Sequence, residues 1–198
     1  MSLVVQATSK SIGDFQVAPA GNHVAVCYQM IDLGQQYNEK YDTWQHKILL
    51  GWELSNELME DGRPFVVSAR YTASFNEKAI LRRDLESWRG RPFTDAELAG
   101  FDLKNILGKP CMVNVVHSTP KDKTYANVRS LATLPKGMAA PEQINQTMLF
   151  EFGDQGFDEA GFAALPEWMR NTIMQSKDYQ ALQNDAPVAE EWSDEITF

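Results

Sequence analysis

Cysteine and histidine are scarce in this chain. Of 198 residues only Cys27 and Cys111 are cysteine and only His23, His46 and His117 are histidine. No histidine stands at metal-ligand spacing from a cysteine, so no zinc site is expected. The two distant cysteines read as small buried residues inside strands, in a reducing compartment. No run is long and apolar enough to cross a bilayer, and the opening MSLVVQATSK lacks the charged head and apolar run of a signal peptide. The expectation is a cytoplasmic protein with no membrane partner. Missing too are a Gly-rich phosphate loop ending in Lys-Ser/Thr, a Gly-x-Ser-x-Gly elbow and a zincin helix. No residue reads as an activated nucleophile. The sequence therefore points to a binding protein rather than an enzyme, with no cofactor and no metal. One group contests this: Asp154, Asp158 and Glu159 would suit a divalent ion in a nuclease, although acid clusters are more often solvated faces.

What is present is an ordinary soluble composition, 43% hydrophobic and 23% charged, with enough apolar residues for a sizeable core. The net charge of −9 argues at first sight against nucleic acid, but the charge is unevenly placed. Residues 38–136 carry 15 of the 18 Lys and Arg against 13 acids, a net of +2. Residues 137–198 carry 12 acids against Arg170 and Lys177, a net of −10. A mildly basic middle is followed by a strongly acidic end.

Hydrophobic periodicity organises the middle. VAPAGNHVAVCYQMIDLG predicts a strand with Val24, Val26, Tyr28 and Met30 on one face, and HKILLGWEL a second with Ile48, Leu50, Trp52 and Leu54 on one side. The polar and aromatic GQQYNEKYDTWQH between them reads as a loop. FVVSARYTASF is a third strand. NEKAILRRDLESWRG then takes helical spacing through Ala79, Leu81, Leu85 and Trp88, with Ser74 or Asn76 as N-cap and Gly90 as stop. TDAELAGFDLKNILG is a second helical region, with Thr94 and Glu97 at capping-box spacing. KPCMVNVVHS and YANVRSLATLP are the fourth and fifth strands, joined by the basic loop TPKDKT. Five short strands with a helix between the third and fourth are the order of the OB-fold, a five-stranded Greek-key barrel, in a protein that is mainly β with some α. A different small antiparallel barrel or sandwich is the alternative.

After Pro135 the pattern weakens. PKGMAAPEQINQ reads as a linker, and PEWMRNTIMQSKDYQAL as one helix started by Pro166 with Trp168, Ile173 and Met174 on or near one stripe. QNDAPVAEEWSDEITF has no basic residue and little periodicity, and is expected to be disordered. The expected organisation is an OB-fold over 1–136, an extension over 137–183 packing on the barrel, and a flexible acidic tail over 184–198.

Holding an unpaired strand without sequence preference needs cations for phosphates and flat rings for bases. The basic middle interleaves the two. An OB-fold binds through its second and third strands and the loops joining strands one to two and four to five. Here those loops carry Tyr37, Lys40, Tyr41 and Trp44 on one side and Lys121 and Lys123 on the other. Candidate contacts for single-stranded DNA are Tyr41, Trp44, Lys47, Arg70, Tyr71, Arg89, Arg91, Lys121, Lys123, Tyr125, Asn127 and Arg129. Several have plainer readings. Trp52 and Trp88 suit core better than a base platform. Arg89 and Arg91 suit a helix C-terminus as well as a phosphate. Arg70 and Tyr71 point to opposite faces, so at most one meets a groove. Tyr41 and Trp44, in a loop with no core to join, are the strongest stacking candidates. Tyr125, Asn127 and Arg129 share one outward face.

Two resemblances join these readings. The end of the sequence, Asp194-Glu195-Ile196-Thr197-Phe198, resembles the acidic tip of bacterial single-stranded DNA-binding proteins, with Thr197 where that family has proline. In that family the tip enters a basic-rimmed pocket on repair and replication enzymes. The resemblance implies a partner-binding role for Asp194, Glu195, Ile196 and Phe198. Residues 17–135, through segments such as LLGWEL, DGRPFVVSARYTASF and LESWRGRPFTDAEL, resemble single-stranded DNA-binding proteins of tailed bacteriophages and prophages. The implied role is to bind and protect single-stranded DNA in phage replication and recombination, inside an infected or lysogenic host. The tip would recruit a polymerase, helicase, nuclease or annealing protein. The other reading is a protein-binding barrel for host takeover or anti-defence, without nucleic acid. The sequence leaves a homodimer open.

Overall fold

A computed structural model describes residues 16–153 and 157–185. The tail residues Asp194, Glu195, Ile196 and Phe198, and Asp154 of the acidic cluster, lie outside the described residues.

Three long strands open the fold: β1 (Gly21–Asn38), β2 (Thr43–Leu58) and β3 (Pro64–Thr72). Helices α1 (Ile80–Arg89) and α2 (Asp95–Ala99) lead to β4 (Pro110–Ser118) and β5 (Tyr125–Ala132). The remainder supplies β6 (Met148–Phe150), α3 (Glu159–Ala164), α4 (Glu167–Met174) and α5 (Lys177–Asp185). The sheet runs β3-β2-β1-β4-β5, every neighbouring pair antiparallel, and β6 joins β1 in parallel. The protein is thus mixed α/β, mainly an antiparallel five-stranded sheet with a helix between β3 and β4. Among the described residues no ladder joins β3 to β5, the two ends of that path.

The main core lies on one face of the sheet. Ile48, Leu50, Trp52 and Leu54 of β2 share it, as their alternation predicts, with Cys111, Val113 and Val115 of β4 and Leu131 of β5. Leu81, Leu85 and Trp88 of α1, spaced four and three residues apart, close it from above. Each such side chain contributes roughly 1.5–3 kcal/mol by leaving water. Trp88 stays in this layer because its Nε1 donates to the Pro110 carbonyl at 2.8 Å. Cys27 and Cys111 are buried and form no disulfide, and burial pushes the Cys27 thiol up to about 12.

The β1 face differs from its sequence pattern. The pairing with β2 slips between Cys27 and Gln29, so Tyr28 is an extra residue and the alternation changes phase there. Ala25 and Cys27 face the main core in place of Val24, Val26 and Tyr28, and Met30 faces it as expected. The same slip turns Ile31 and Leu33 to the opposite face, where with Leu49 they meet Phe150, Leu165, Met169 and Ile173 in a second core. The extension after Pro135 therefore packs on the sheet's outer face.

Three local expectations also change. GQQYNEKYDTWQH is no loop: Gln35–Asn38 pairs with Thr43–His46, so β1 and β2 form a hairpin that turns at 39–42. The N-cap of α1 is Ala79, with no side-chain cap, rather than Ser74 or Asn76. The helix from Pro166 is two, broken at Gln175–Ser176, where the Ser176 hydroxyl accepts the Tyr179 N–H at 3.1 Å and restarts the chain as α5. That second helix continues to Asp185, past the expected start of the tail at 184. The Thr94–Glu97 capping box and the Gly90 stop at φ 68° form as read.

Candidate nucleic-acid interface

The twelve candidate side chains fall into four groups. At the β1–β2 hairpin Tyr41 is 60% exposed in the turn, with Lys40 Nζ 5.2 Å from its ring centroid. Trp44 is a strand residue directly across from Tyr37, the ring centroids 5.4 Å apart and both rings about half exposed. Lys47, further along β2, donates to Gln45 Oε1 at 2.8 Å and Thr72 Oγ1 at 2.7 Å, and partial burial lowers its pKa.

The second group is Arg70 and its surroundings. Val66, Ser68 and Arg70 alternate along the outward side of β3, all exposed. The Arg70 guanidinium lies 5.5 Å from the ring centroid of Trp168. Tyr71 points the other way, into the core, as the alternation requires. Only 5% exposed, it donates its hydroxyl to Asp84 Oδ2 at 3.1 Å, and burial with that carboxylate raises its pKa. Its ring is not available to stack a base, which removes it from the interface.

The third group, Arg89 and Arg91, is held within the fold. Both pair with Glu97, Arg91 through two contacts at 2.8 and 3.0 Å. The Arg89 guanidinium also packs 4.1 Å from the Phe93 ring centroid. The Arg91 hydrogen bonds and the Thr94 N–H hold the Glu97 carboxyl down at about 2. These arginines fasten α2 to the end of α1, and a phosphate would have to displace Glu97 to reach them.

The fourth group follows β4. Lys121 lies in a single 3₁₀ turn, Pro120–Asp122, and takes φ 51°; Lys123 follows as its C-cap, and both are exposed. Lys123 Nζ lies 5.4 Å from the centroid of Tyr125, which is 44% exposed. Asn127 and Arg129 are exposed as their alternation predicts. The register slips between Asn114 and Val115, making Arg129 a bulge residue, and it opens onto a cleft shared with Arg83 and Ser87 of α1.

Topology sets the distances between groups. The end of β4 lies beside Gly21, whereas the hairpin turn follows Asn38, at the other end of β1. On the order of 50 Å of strand separates them at ~3.3 Å per residue. The outer face between them is covered by the second core. What connects the ends is the edge at β3: Tyr125, Val66, Ser68 and Trp168 line one cleft, Arg70 lies against Trp168, and Thr72 beyond it binds Lys47.

Trp168 is the residue the sequence reading misplaced. The sequence pattern groups it with Ile173 and Met174, but Leu165, Met169 and Ile173, four residues apart, form the buried stripe and leave Trp168 46% and Met174 40% exposed. That four-residue spacing was the signal for it. Of the acidic cluster, Asp158 caps α3, its Oδ1 accepting the Gly161 N–H at 2.9 Å, and no group of three or more metal-ligating residues occurs among the described residues. No helix among the described residues is long and apolar enough to cross a membrane. No protein-family model matches the chain, and no curated protein is significantly similar to it.

Proposed function

We propose that the protein binds and protects single-stranded DNA with little sequence preference, in phage replication and recombination. The fold in this reading is an OB-fold closed between β3 and β5, and the chain is a binding protein, not an enzyme. The observation that carries it is a repeated pairing at the surface. Three exposed rings, Tyr41, Tyr125 and Trp168, each have a cation against them: Lys40, Lys123 and Arg70. None of these cations has a carboxylate partner among the described residues. Rings for bases beside cations for phosphates are what an unpaired strand requires, and each stacked base is worth roughly 1–3 kcal/mol. The acidic tip, Asp194, Glu195, Ile196 and Phe198, would recruit replication or recombination proteins, as its resemblance suggests.

The test is a fluorescence titration with oligo-dT at two salt concentrations. Tryptophan quenching that weakens as salt rises is expected. No quenching at low salt and high protein concentration would overturn the reading.

One observation favours a second reading, a protein-binding factor that takes no nucleic acid. The outer sheet face, where an OB-fold would lay its strand, is covered by Phe150, Met169 and Ile173, and Glu97 neutralises part of the charge of Arg89 and Arg91. Absence of quenching would leave this reading standing.

A further inference from the structure

A cleft of about 400 Å³ is lined by residues of β3, β5 and α4 and by the segment that precedes β1. We propose that this cleft holds one unstacked nucleotide of the bound strand, its base against Trp168 and Tyr125, so that the C-terminal extension builds part of the binding site. The proposal rests on the single-stranded DNA reading and names where that strand is gripped.

Four features of the cleft select this ligand. Its volume falls in the range of small-ligand sites, roughly 300–1,000 Å³. Its walls are apolar and aromatic: Val66 from β3, Tyr125 from β5, Met169 and Trp168 from α4. Two flat rings in its lining suit a planar base, whichever base it is, because every base has a π-face. A buried amide, Gln29, lines it as well; the residue is 4% exposed, and its Nε2 donates to Met148 Sδ, a weak acceptor that a base carbonyl would outcompete. Finally, a cation stands by each ring, Arg70 at Trp168 and Lys123 at Tyr125. Phosphates on the two sides of an inserted nucleotide would each have a counter-charge. An apolar peptide has no use for that pair.

The same geometry gives the extension a purpose. Trp168 comes from a segment outside the five-stranded sheet, yet its position is fixed. Met169 and Ile173 of the same helix are buried in the second core, and β6 is paired with β1. The backbone that carries the ring is preorganised in this way, so a base stacks on Trp168 without ordering the helix.

The experiment uses the full chain and an oligo-dT carrying one 5-iododeoxyuridine. Photocrosslinking followed by peptide mapping is expected to place the crosslink on Trp168 or Tyr125. Trp168→Ala should weaken binding on the order of tenfold, and Trp168→Phe should retain most of it. Crosslinks confined to Tyr41 or Trp44, with Trp168→Ala binding as tightly as the unaltered chain, would overturn the cleft and leave the single-stranded DNA reading in place. No binding and no crosslink at all would remove both. Should Trp168→Ala fail to fold, the crosslink map of the unaltered chain decides alone.

Discussion

Asn145 donates to Glu53 twice, through its backbone N–H and through its side-chain Nδ2, each at 2.7 Å from Oε2. The other carboxylate oxygen accepts the Ile144 N–H at 2.6 Å. Glu53 is 0% exposed in the middle of β2. A buried carboxylate is costly without such partners, and three of its four, the fourth being the Ser55 hydroxyl at 3.5 Å, come from the segment that the sequence pattern reads as a linker. Glu53 thus pins the crossing between the sheet and its extension. Glu53→Gln keeps the shape but sets an NH₂ group against donors, and should cost about 3 kcal/mol in urea unfolding, the scale of hydrogen bonds to a charged group plus an unmet donor. Faster proteolysis within residues 137–147 should accompany it. Unchanged stability and cleavage would remove the clamp.

Gly34 is where β1 touches the junction of α4 and α5. Its φ is +70°, and a Cβ there would come within 2.8 Å of the Ser176 Cβ and Oγ. Gly34→Ala meets both a backbone penalty and a clash, so a loss of roughly 1–3 kcal/mol is expected, read as a lower urea midpoint. Gly62 also has a positive φ, +83°, but nothing within 4 Å of its Cβ position, so Gly62→Ala should cost less. Equal effects at the two sites would contradict the close approach.

Glu97 predicts the acid limb of stability. Its carboxyl is held down to about 2 by Arg91 and the Thr94 N–H, from an ordinary 4.5. A depressed folded value means that the contribution is complete above about pH 4.5 and is lost as pH falls toward 2. Unfolding midpoints of the unaltered chain and Glu97→Gln should therefore differ at pH 7 and converge toward pH 2. A gap that stays constant with pH would show that Glu97 acts by packing alone.

If the acidic end competes with DNA for the cations, removing it should show at low salt. A chain stopped after Asp185, the last residue of α5, should bind oligo-dT more tightly than the full chain. The gain should shrink as salt rises, because the attraction is screened over about 8 Å at physiological ionic strength. Equal affinity at low salt would discard competition by the tail.

Much of the sheet is legible in the amino-acid sequence. The β2 alternation of Ile48, Leu50, Trp52 and Leu54 gave its buried face, and the Leu81, Leu85 and Trp88 spacing gave that of α1. Thr94 and Glu97 gave a cap. These are local periodicities, and they survive because a side chain's direction follows from its own backbone. The β1 face departs from its alternation because a bulge at Tyr28 shifts the phase, and a bulge is set by the partner strand's register. Lys123, Tyr125, Asn127 and Arg129 are exposed as the sequence leads one to expect, whereas Tyr71, a groove candidate by its type, is buried.

The sequence by itself determined the strands, the helix between the third and fourth, and the accumulation of positive charge in the middle of the chain and negative charge at its end. Only the tertiary structure decided which rings remain accessible and which cations are already paired. Glu97 lies six and eight residues from Arg91 and Arg89, and Trp168 lies 98 residues from Arg70. Contacts at such separations depend on how the elements pack together, and no local pattern encodes them.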